Sequence, residues 1–275
     1  MGISLKKQTW PALLVWAKTC RPWTYVYLPT RGLFRLIQID PERTIWRIGE
    51  SLRLRSYTKL PDGNILFYRP LTWDHEAVKD VYGYEEYEKV FHIREGDVVV
   101  DVGAHIGTFS IKAGRKVKSQ GMVLAIEPEK ENYSLLTANK KVNNLENIIP
   151  IYGALSDHTG EAYLYSREGH SGGFSIVEKH SSHHIRVAVF TLDNLASKLQ
   201  LNRIDYLKID AEGSELEALQ GGRKILKDSD AKIVVAAYHK SDNPKKIANF
   251  LKSLGYETRC SEDKFIYAWK QFAKI

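Results

Sequence analysis

The sequence predicts an α/β domain built on a doubly wound, mostly parallel sheet with helices on both faces. From Gly96 onward, short apolar segments alternate with segments of helical periodicity. The segment 98–102 is almost continuously apolar, which is typical of strands buried on both faces. A glycine turn then leads directly into a helical pattern, as in sheets that bind nucleosides. Together these observations predict an open sheet with a ligand cleft at one edge.

A basic, tryptophan-rich extension, residues 1–73, is predicted to precede a main domain, residues 74–275. The net charge is +7, and residues 1–75 hold the whole excess, with 12 Lys and Arg against 5 Asp and Glu. They also hold five of the six tryptophans. A helical arm that packs on the domain explains this composition. A peripheral membrane contact through residues 1–40 and a surface for nucleic acid or anionic glycan are the alternatives.

Short elements are predicted before the alternating region. Residues 43–69 alternate as two or three antiparallel strands, with a turn at Pro61-Asp62-Gly63. Residues 73–91 have helical character, with an inner face formed by Val78, Val81, Tyr84 and Tyr87.

The alternating region predicts five core strands, two extra strands and a terminal hairpin. The predicted strands after the first are 122–126, 148–152, 162–165, 185–190, 204–209, 232–237, 257–260 and 265–269. The predicted helices are 106–117, 130–143, 194–200, 214–227 and 244–254, with Asp193 as the N-cap of the third.

The remaining composition favours a cytoplasmic protein. Cys20 and Cys260 are far apart in sequence, so no disulfide framework is predicted. We find no secretory signal pattern and no transmembrane segment, which needs about 20 apolar residues. Association with a membrane through the basic extension stays open.

The glycine turn after the first strand predicts a ligand-binding loop. Its spacing is Asp101-x-Gly103-x-x-x-Gly107, and His105 replaces the middle glycine of the dinucleotide fingerprint, which argues against NAD. A carboxylate beside a wider turn suits a ligand with a cationic amino-acid end, such as S-adenosylmethionine. The alternative is that the glycines only make a tight connection.

Residues after the second and third strands complete the predicted cofactor site. Glu127 stands where nucleoside-binding sheets place a carboxylate that accepts hydrogen bonds from ribose hydroxyls. Small and apolar residues after the third strand suit an adenine slot. The predicted cofactor-binding residues are Asp101, Gly103, Ala104, His105, Gly107, Glu127, Pro128, Ala154, Leu155 and Asp210.

Candidate catalytic residues follow the fourth and fifth strands. Asp210, Glu212 and Glu215 lie within six positions, and such crowding of carboxylates is costly unless they are used. We expect Asp210 to face the cleft, whereas Glu215 has an alternative role in the first turn of a helix. His239 suits a general base at neutral pH, or it is a hydrogen-bonded loop residue. The predicted catalytic set is Asp210, Glu212 and His239.

A histidine-rich segment, residues 170–184, is predicted to be a mobile loop that covers the substrate. It holds four of the nine histidines, but it lacks the i, i+4 pair of a usual metal motif. No metal site is therefore predicted.

Four motifs resemble the FkbM family of S-adenosylmethionine-dependent methyltransferases, over about residues 74–258. They are Asp-Val-Gly-Ala-His-Ile-Gly at 101–107, Ala-Leu-Ser-Asp at 154–157, Thr-Leu-Asp at 191–193 and Lys-Ile-Asp-Ala-Glu-Gly-Ser-Glu at 208–215. The resemblance implies the class I methyltransferase sheet, with an antiparallel seventh strand. It implies O-methylation of a glycan or small-molecule hydroxyl, with Asp210 near the methyl group.

The chain departs from this pattern at two places. Ala211 stands where the family often has Val, and Ala236-Ala237 stand where a Glu is frequent. If that Glu acts in catalysis elsewhere, its role here is vacant or passes to His239. The alternatives to an O-methyltransferase are an RNA methyltransferase and a non-catalytic module that binds nucleosides or membranes.

Overall fold

The computed structural model describes residues 55–70, 72–166, 173–176 and 184–271. The strands are β1 (Ser56–Lys59), β2 (Ile65–Tyr68), β3 (Val98–Val102), β4 (Met122–Glu127), β5 (Ile148–Tyr152), β6 (Ala154–Leu155), β7 (Gly160–Ser166), β8 (Phe174–Ser175), β9 (His184–Phe190), β10 (Tyr206–Ile209), β11 (Lys232–Ala236), β12 (Glu257–Cys260) and β13 (Phe265–Trp269). The α-helices are α1 (Asp74–Val78), α2 (Thr108–Val117), α3 (Lys130–Val142), α4 (Leu192–Lys198), α5 (Glu215–Gln220), α6 (Arg223–Asp228) and α7 (Asn243–Ser253).

The main sheet has seven strands in the order β5-β4-β3-β10-β11-β13-β12. The five strands from β5 to β11 run parallel, and β13 runs antiparallel to both β11 and β12. The predicted doubly wound sheet and its antiparallel C-terminal strand are thus confirmed. The strand order reverses between β3 and β10, and such a switch point opens a crevice at the carboxyl ends of the strands.

Two apolar layers cover the two faces of this sheet. Val99 packs into one layer and Val100 into the other, and both are fully buried. β3 therefore buries both of its faces, as its apolar sequence predicts. Burial of a valine side chain contributes roughly 1.5–3 kcal/mol, so the central strands stabilise the domain strongly.

The predicted hairpin is present and shares the core of the main domain. β1 and β2 pair antiparallel around the Pro61-Asp62-Gly63 turn, where Gly63 has a φ of +87°. Leu66 is fully buried in the same layer as Val99. The side-chain amide of Asn139 accepts a hydrogen bond from the N–H of Phe67 on β2 and donates one to the carbonyl of the same residue. Asn143 makes the same two hydrogen bonds with Ile65.

The described part of the predicted extension, residues 55–70, therefore packs as part of the main domain. The boundary at residue 73 stays a prediction for the chain upstream, because residues 1–54 lie outside the described residues. The predicted helical arm and the part of the predicted antiparallel strands before residue 55 lie there too. No described helix is long and apolar enough to cross a bilayer.

The helix predicted over 73–91 is shorter than the pattern suggests. α1 ends at Val78 and continues only as one wide π-turn, Lys79–Gly83. This turn shifts the buried face. Val81 and Tyr87 are buried as predicted, whereas Tyr84 is 60 % exposed.

The helix predicted over 214–227 is divided into α5 and α6 by Gly221-Gly222. A Cβ added at Gly221 would lie 2.0 Å from the carbonyl oxygen of Ser156, so the close approach of that loop requires glycine. The predicted N-cap role of Asp193 is also wrong. Thr191 caps α4, while the Asp193 carboxylate accepts hydrogen bonds from the first amides of α6, at Lys224 and Ile225.

The predicted extra strands form a second sheet in the order β6-β9-β7-β8. β7 and β9 pair antiparallel along their length. β6 follows β5 after a single residue and pairs parallel with β9. Because β5 is the edge strand of the main sheet, the second sheet continues from that edge. It brings Phe174 over the carboxyl ends of the main strands, where it lines the cleft described next.

Candidate active site

A cleft of about 600 Å³ opens at the carboxyl ends of β3, β4, β10 and β11. Most of the predicted site residues line this cleft: Gly103, Ala104, His105, Glu127, Pro128, Ala154, Leu155, Asp210, Glu212 and His239. Two predicted residues, Asp101 and Gly107, lie outside its lining.

Glu127 closes one end of the cleft with a fixed carboxylate. Its Oε2 accepts a hydrogen bond from the backbone N–H of His105 at 2.8 Å. Its Oε1 accepts from the N–H of Glu129 at 2.9 Å and from Nδ2 of Asn132 at 3.2 Å. Burial raises the pKa of Glu127, although the nearby His105 and these hydrogen bonds oppose the rise. The carboxylate is oriented before any ligand arrives, as a binding group needs to be.

Asp101 lies below the cleft rather than in it. It is fully buried, and its Oδ2 accepts a hydrogen bond from the Ser110 hydroxyl at 2.5 Å. Its Oδ1 pairs with Nζ of Lys208, the neighbouring residue on β10, at 2.9 Å. Lys208 also donates to the carbonyl of Gly103 at 2.8 Å. The predicted direct contact between Asp101 and a cofactor is therefore not available, and Asp101 positions the turn through Lys208.

The two glycines of the turn are required by packing. A Cβ at Gly103, which has a φ of +74°, would lie 1.8 Å from the carbonyl oxygen of Asp210. A Cβ at Gly107, with a φ of +89°, would lie 2.6 Å from Cδ1 of Leu136. Gly103 thus allows the loop after β3 to approach the loop after β10, and the glycine turn therefore lies beside Asp210.

An ion-pair network that no motif predicts supports this end of the cleft. Nη2 of Arg69, directly after β2, contacts Oδ1 of Asp74 at 2.8 Å and donates to Oδ1 of Asn132 at 2.5 Å. Nε2 of His105 lies 3.2 Å from Oδ1 of Asp74. Burial favours a raised pKa for Asp74, but His105 and Arg69 overcome it and hold that pKa far below its usual range. Asn132 links this network to Glu127.

The other end of the cleft gathers carboxylates around one imidazole. Nε2 of His239 lies 3.6 Å from Oδ1 of Asp210 and 3.6 Å from Oε2 of Glu212. Nδ1 of His239 lies 2.8 Å from Oε1 of the fully buried Glu215. The hydroxyl of Tyr87 donates to Oδ2 of Asp210 at 2.6 Å. The structure thus brings the whole predicted catalytic set together.

These contacts disfavour the predicted role of His239 as a general base. Burial tends to lower the pKa of His239, but Glu212, Glu215 and Asp210 raise it to about 11. An imidazolium at neutral pH has no lone pair to accept a proton from a hydroxyl group. Within the predicted catalytic set, the geometry favours Asp210 over His239 as a general base.

Asp80 is a cleft residue that the sequence analysis missed. It lies in the π-turn after α1, and burial, with the nearby carboxylates of Glu86, Glu76 and Asp210, raises its pKa to about 7. The helical spacing of apolar residues over 73–91 predicted a buried face without Asp80. A π-turn changes which residues face inward, and the spacing of apolar residues does not reveal it. The cluster of acidic residues in this stretch was the only available sign.

The predicted covering segment contributes Gly173, Phe174 and Ile176 to the lining. Three of its histidines, His170, His180 and His183, lie outside the described residues. His184 lies in β9, where its ring packs against Tyr163 and Tyr165. The mobility of the segment stays a prediction.

The family described as "Methyltransferase FkbM domain" matches residues 101–258. Hexuronic acid methyltransferase AglP of Haloferax volcanii is 25 % identical over 187 residues, which are 67 % of this chain and 74 % of that protein. Methyltransferase sdnD of Sordaria araneosa is 27 % identical in an alignment of 209 positions, which covers 64 % of this chain and 79 % of that protein.

The crystal structure of methyltransferase FkbM from Methylobacillus flagellatus has the same fold. It aligns with a TM-score of 0.50 and 20 % identity, over 72 % of this chain and 56 % of that chain. The family match covers more than half of this chain and all four motifs from which the resemblance was inferred. The chain therefore belongs to the FkbM family of methyltransferases, and its sheet is that of the S-adenosylmethionine-dependent enzymes.

Proposed function

We propose that the chain transfers the methyl group of S-adenosylmethionine to a hydroxyl oxygen of a glycan or a small metabolite. One observation carries the proposal: the carboxylates of Glu127 and Asp210, at the ends of β4 and β10, face a single cleft. A nucleoside bound at the first carboxylate would extend toward the second. The acceptor would then lie at Asp210.

The cleft residues fit the proposed cofactor. Glu127 would accept a hydrogen bond from a ribose hydroxyl at Oε2, which accepts one hydrogen bond within the protein and has a second lone pair, whereas Oε1 already accepts two. Ala154 and Leu155 would flank the adenine ring. Oγ1 of Thr108, a buried residue that lines the cleft, has no hydrogen-bond partner among the described residues. A buried hydroxyl without a partner is costly, and a polar atom of a ligand would remove that cost.

Asp210 would orient the acceptor and take its proton. When bound, S-adenosylmethionine would supply a methyl group bonded to a positively charged sulfur. The acceptor oxygen would bond to the methyl carbon, and S-adenosylhomocysteine would leave with the sulfur. The Tyr87 hydroxyl fixes one oxygen of Asp210 and leaves Oδ1 facing the cleft. An alcohol is a weak nucleophile while protonated, so a carboxylate at this point assists the attack. Holding the reactants in line supplies most of the remaining acceleration.

The acidic lining supports a sugar or a small metabolite as the acceptor over a nucleic acid. Glu76, Asp80, Asp210 and Glu212 all line the cleft, and their charge opposes entry of a phosphate backbone. The similarity to a hexuronic acid methyltransferase supports a sugar acceptor. We expect acceptor specificity to lie in residues 1–75 and 158–190.

Replacing Glu127 by Gln is expected to weaken S-adenosylmethionine binding by about 10- to 100-fold, because hydrogen bonds to a charged group contribute roughly 1.5–3 kcal/mol. Calorimetric titration of the purified protein measures the change. Glu146→Gln is a matched control, because the Glu146 side chain is 86 % exposed. The affinity of this variant for S-adenosylmethionine should equal that of the native chain. Absence of binding by the native chain would refute the cofactor assignment. Equal affinity in all three proteins would refute the role of Glu127.

A further inference from the structure

Three potential metal ligands converge at the catalytic end of the cleft. They are Oδ1 of Asp210, Oε2 of Glu212 and Nε2 of His239, and all three atoms lie within 4.8 Å of one another. The two carboxylate oxygens each lie 3.6 Å from the imidazole nitrogen. Metal–ligand bonds of about 2.1 Å at tetrahedral or octahedral angles separate neighbouring ligand atoms by roughly 3.0–3.5 Å. The two nitrogen–oxygen separations exceed this range by only a few tenths of an ångström, so small shifts bring both carboxylates and the imidazole to one cation.

The surrounding residues orient these ligands. Glu215 contacts Nδ1 of His239 at 2.8 Å, so Nε2 faces Asp210 and Glu212 and binds a cation when the cation displaces its proton. Glu215 is itself fixed by the N–H of Gly213 and by Nδ2 of Asn243, both at 2.9 Å. Tyr87 holds the second oxygen of Asp210. At metal sites the ligating histidine usually donates its other ring N–H to a carboxylate, as His239 can to Glu215, and a ligating carboxylate usually accepts a hydrogen bond, as Asp210 does from Tyr87.

The local charge balance calls for a cation. Asp210, Glu212 and Glu215 surround a single imidazole, whereas Glu76, which lines the same cleft, is already paired with Lys79. The nearby Lys208 is bound to Asp101 and to the carbonyl of Gly103. Lys240 donates to the carbonyl of Gly213 at 2.6 Å. Neither ammonium contacts the three converging ligand atoms.

We infer that Asp210, Glu212 and His239 form a divalent-cation site whose remaining coordination positions face the methyl acceptor. Two carboxylates with one imidazole suit Mn²⁺ or Zn²⁺ better than Ca²⁺, which prefers oxygen ligands alone. The cation would hold an acceptor oxygen directly and polarise its O–H bond, and Asp210 would then act as a ligand of the cation while the acceptor proton leaves to solvent. This role rests on the proposed function, whereas binding of the cation does not.

Electron paramagnetic resonance of Mn²⁺ tests the site without any assay of activity. Protein treated with EDTA and then dialysed is titrated with Mn²⁺, and the signal of free aqueous Mn²⁺ is followed. We expect one bound ion per chain, and at least a 10-fold weaker affinity in Glu212→Gln and His239→Asn. His158→Asn is the control, since His158 also pairs with a carboxylate, Asp157, but is exposed. Its affinity should match that of the native chain.

Absence of Mn²⁺ binding by the native chain, confirmed with Zn²⁺ by calorimetry, would overturn the inference. Equal affinity in the Glu212 variant and the His158 control would also overturn it, because the ion would then be bound elsewhere. Glu212 is partly exposed, so its Gln variant should fold even if the His239 variant does not. Titration with S-adenosylmethionine in EDTA runs in parallel, so that a failed metal site and a failed cofactor assignment give different results.

Discussion

Asp210→Asn is expected to lower the turnover number by roughly 10²-fold or more, while the affinity for S-adenosylmethionine changes little. Asparagine keeps an oxygen that accepts the Tyr87 hydrogen bond, so the loop after β10 should retain its geometry. The variant loses the negative charge, and with it the ability to take a proton or to hold a cation. Steady-state kinetics with a hydroxyl acceptor that the native chain methylates, together with calorimetry, separate turnover from cofactor binding.

Asp228→Asn is a suitable control, because Asp228 is an exposed carboxylate at the end of α6. Its turnover should equal that of the native chain. Near-normal turnover in the Asp210 variant would remove Asp210 from the chemistry, whether as base or as ligand. A matching loss in both variants would point to a general effect on the preparation.

Asp74→Ala should lower the free energy of unfolding by about 3–5 kcal/mol, because it leaves Arg69 as a buried charge without its carboxylate. Arg69 is 6 % exposed and Asp74 is fully buried, so water replaces little of the lost interaction. Denaturant unfolding measures the change. Asp157→Ala removes a carboxylate from the exposed pair with His158 and should have a far smaller effect. A small effect in both variants would show that Asn132 and solvent satisfy Arg69.

The same carboxyl predicts how stability depends on pH. Because the pKa of Asp74 is lower in the folded state than in the unfolded chain, its contribution is complete above the unfolded value of about 4. That contribution is lost progressively as the pH falls below this value. The difference in unfolding free energy between native chain and Asp74→Asn should therefore be constant near pH 7 and decrease below about pH 4. A difference that grows on acidification would contradict the ion-pair assignment.

The sequence was most informative where local pattern and position agree. β3, β4, β5 and β11 were predictable because apolar runs bounded by glycine or charge allow few other structures. Glu127 and Asp210 were predictable because residues just after parallel strands meet at one edge of the sheet. The hairpin of β1 and β2 followed from its alternation and its turn residues.

Other features depend on contacts that no local pattern contains. The π-turn at Lys79–Gly83 changes which residues face inward, so Tyr84 was misplaced and Asp80 missed. Asp101 ends the first core strand, where a residue that contacts the ligand is expected, but its carboxylate is paired with Lys208 of the adjacent strand. The convergence of Glu212 with His239 joins loops after two different strands, and its geometry appears only in three dimensions.

The hairpin of β1 and β2 limits how the chain can be shortened. The family match begins at residue 101, and a fragment cut there would contain every recognised motif. Such a fragment would strip the β2 backbone from the amides of Asn139 and Asn143 on α3 and would expose the apolar surface under Leu66. It would also lose Arg69 and thus the support behind Glu127 through Asn132. Binding of the cofactor should in turn slow amide hydrogen exchange in β2, some distance from the ligand.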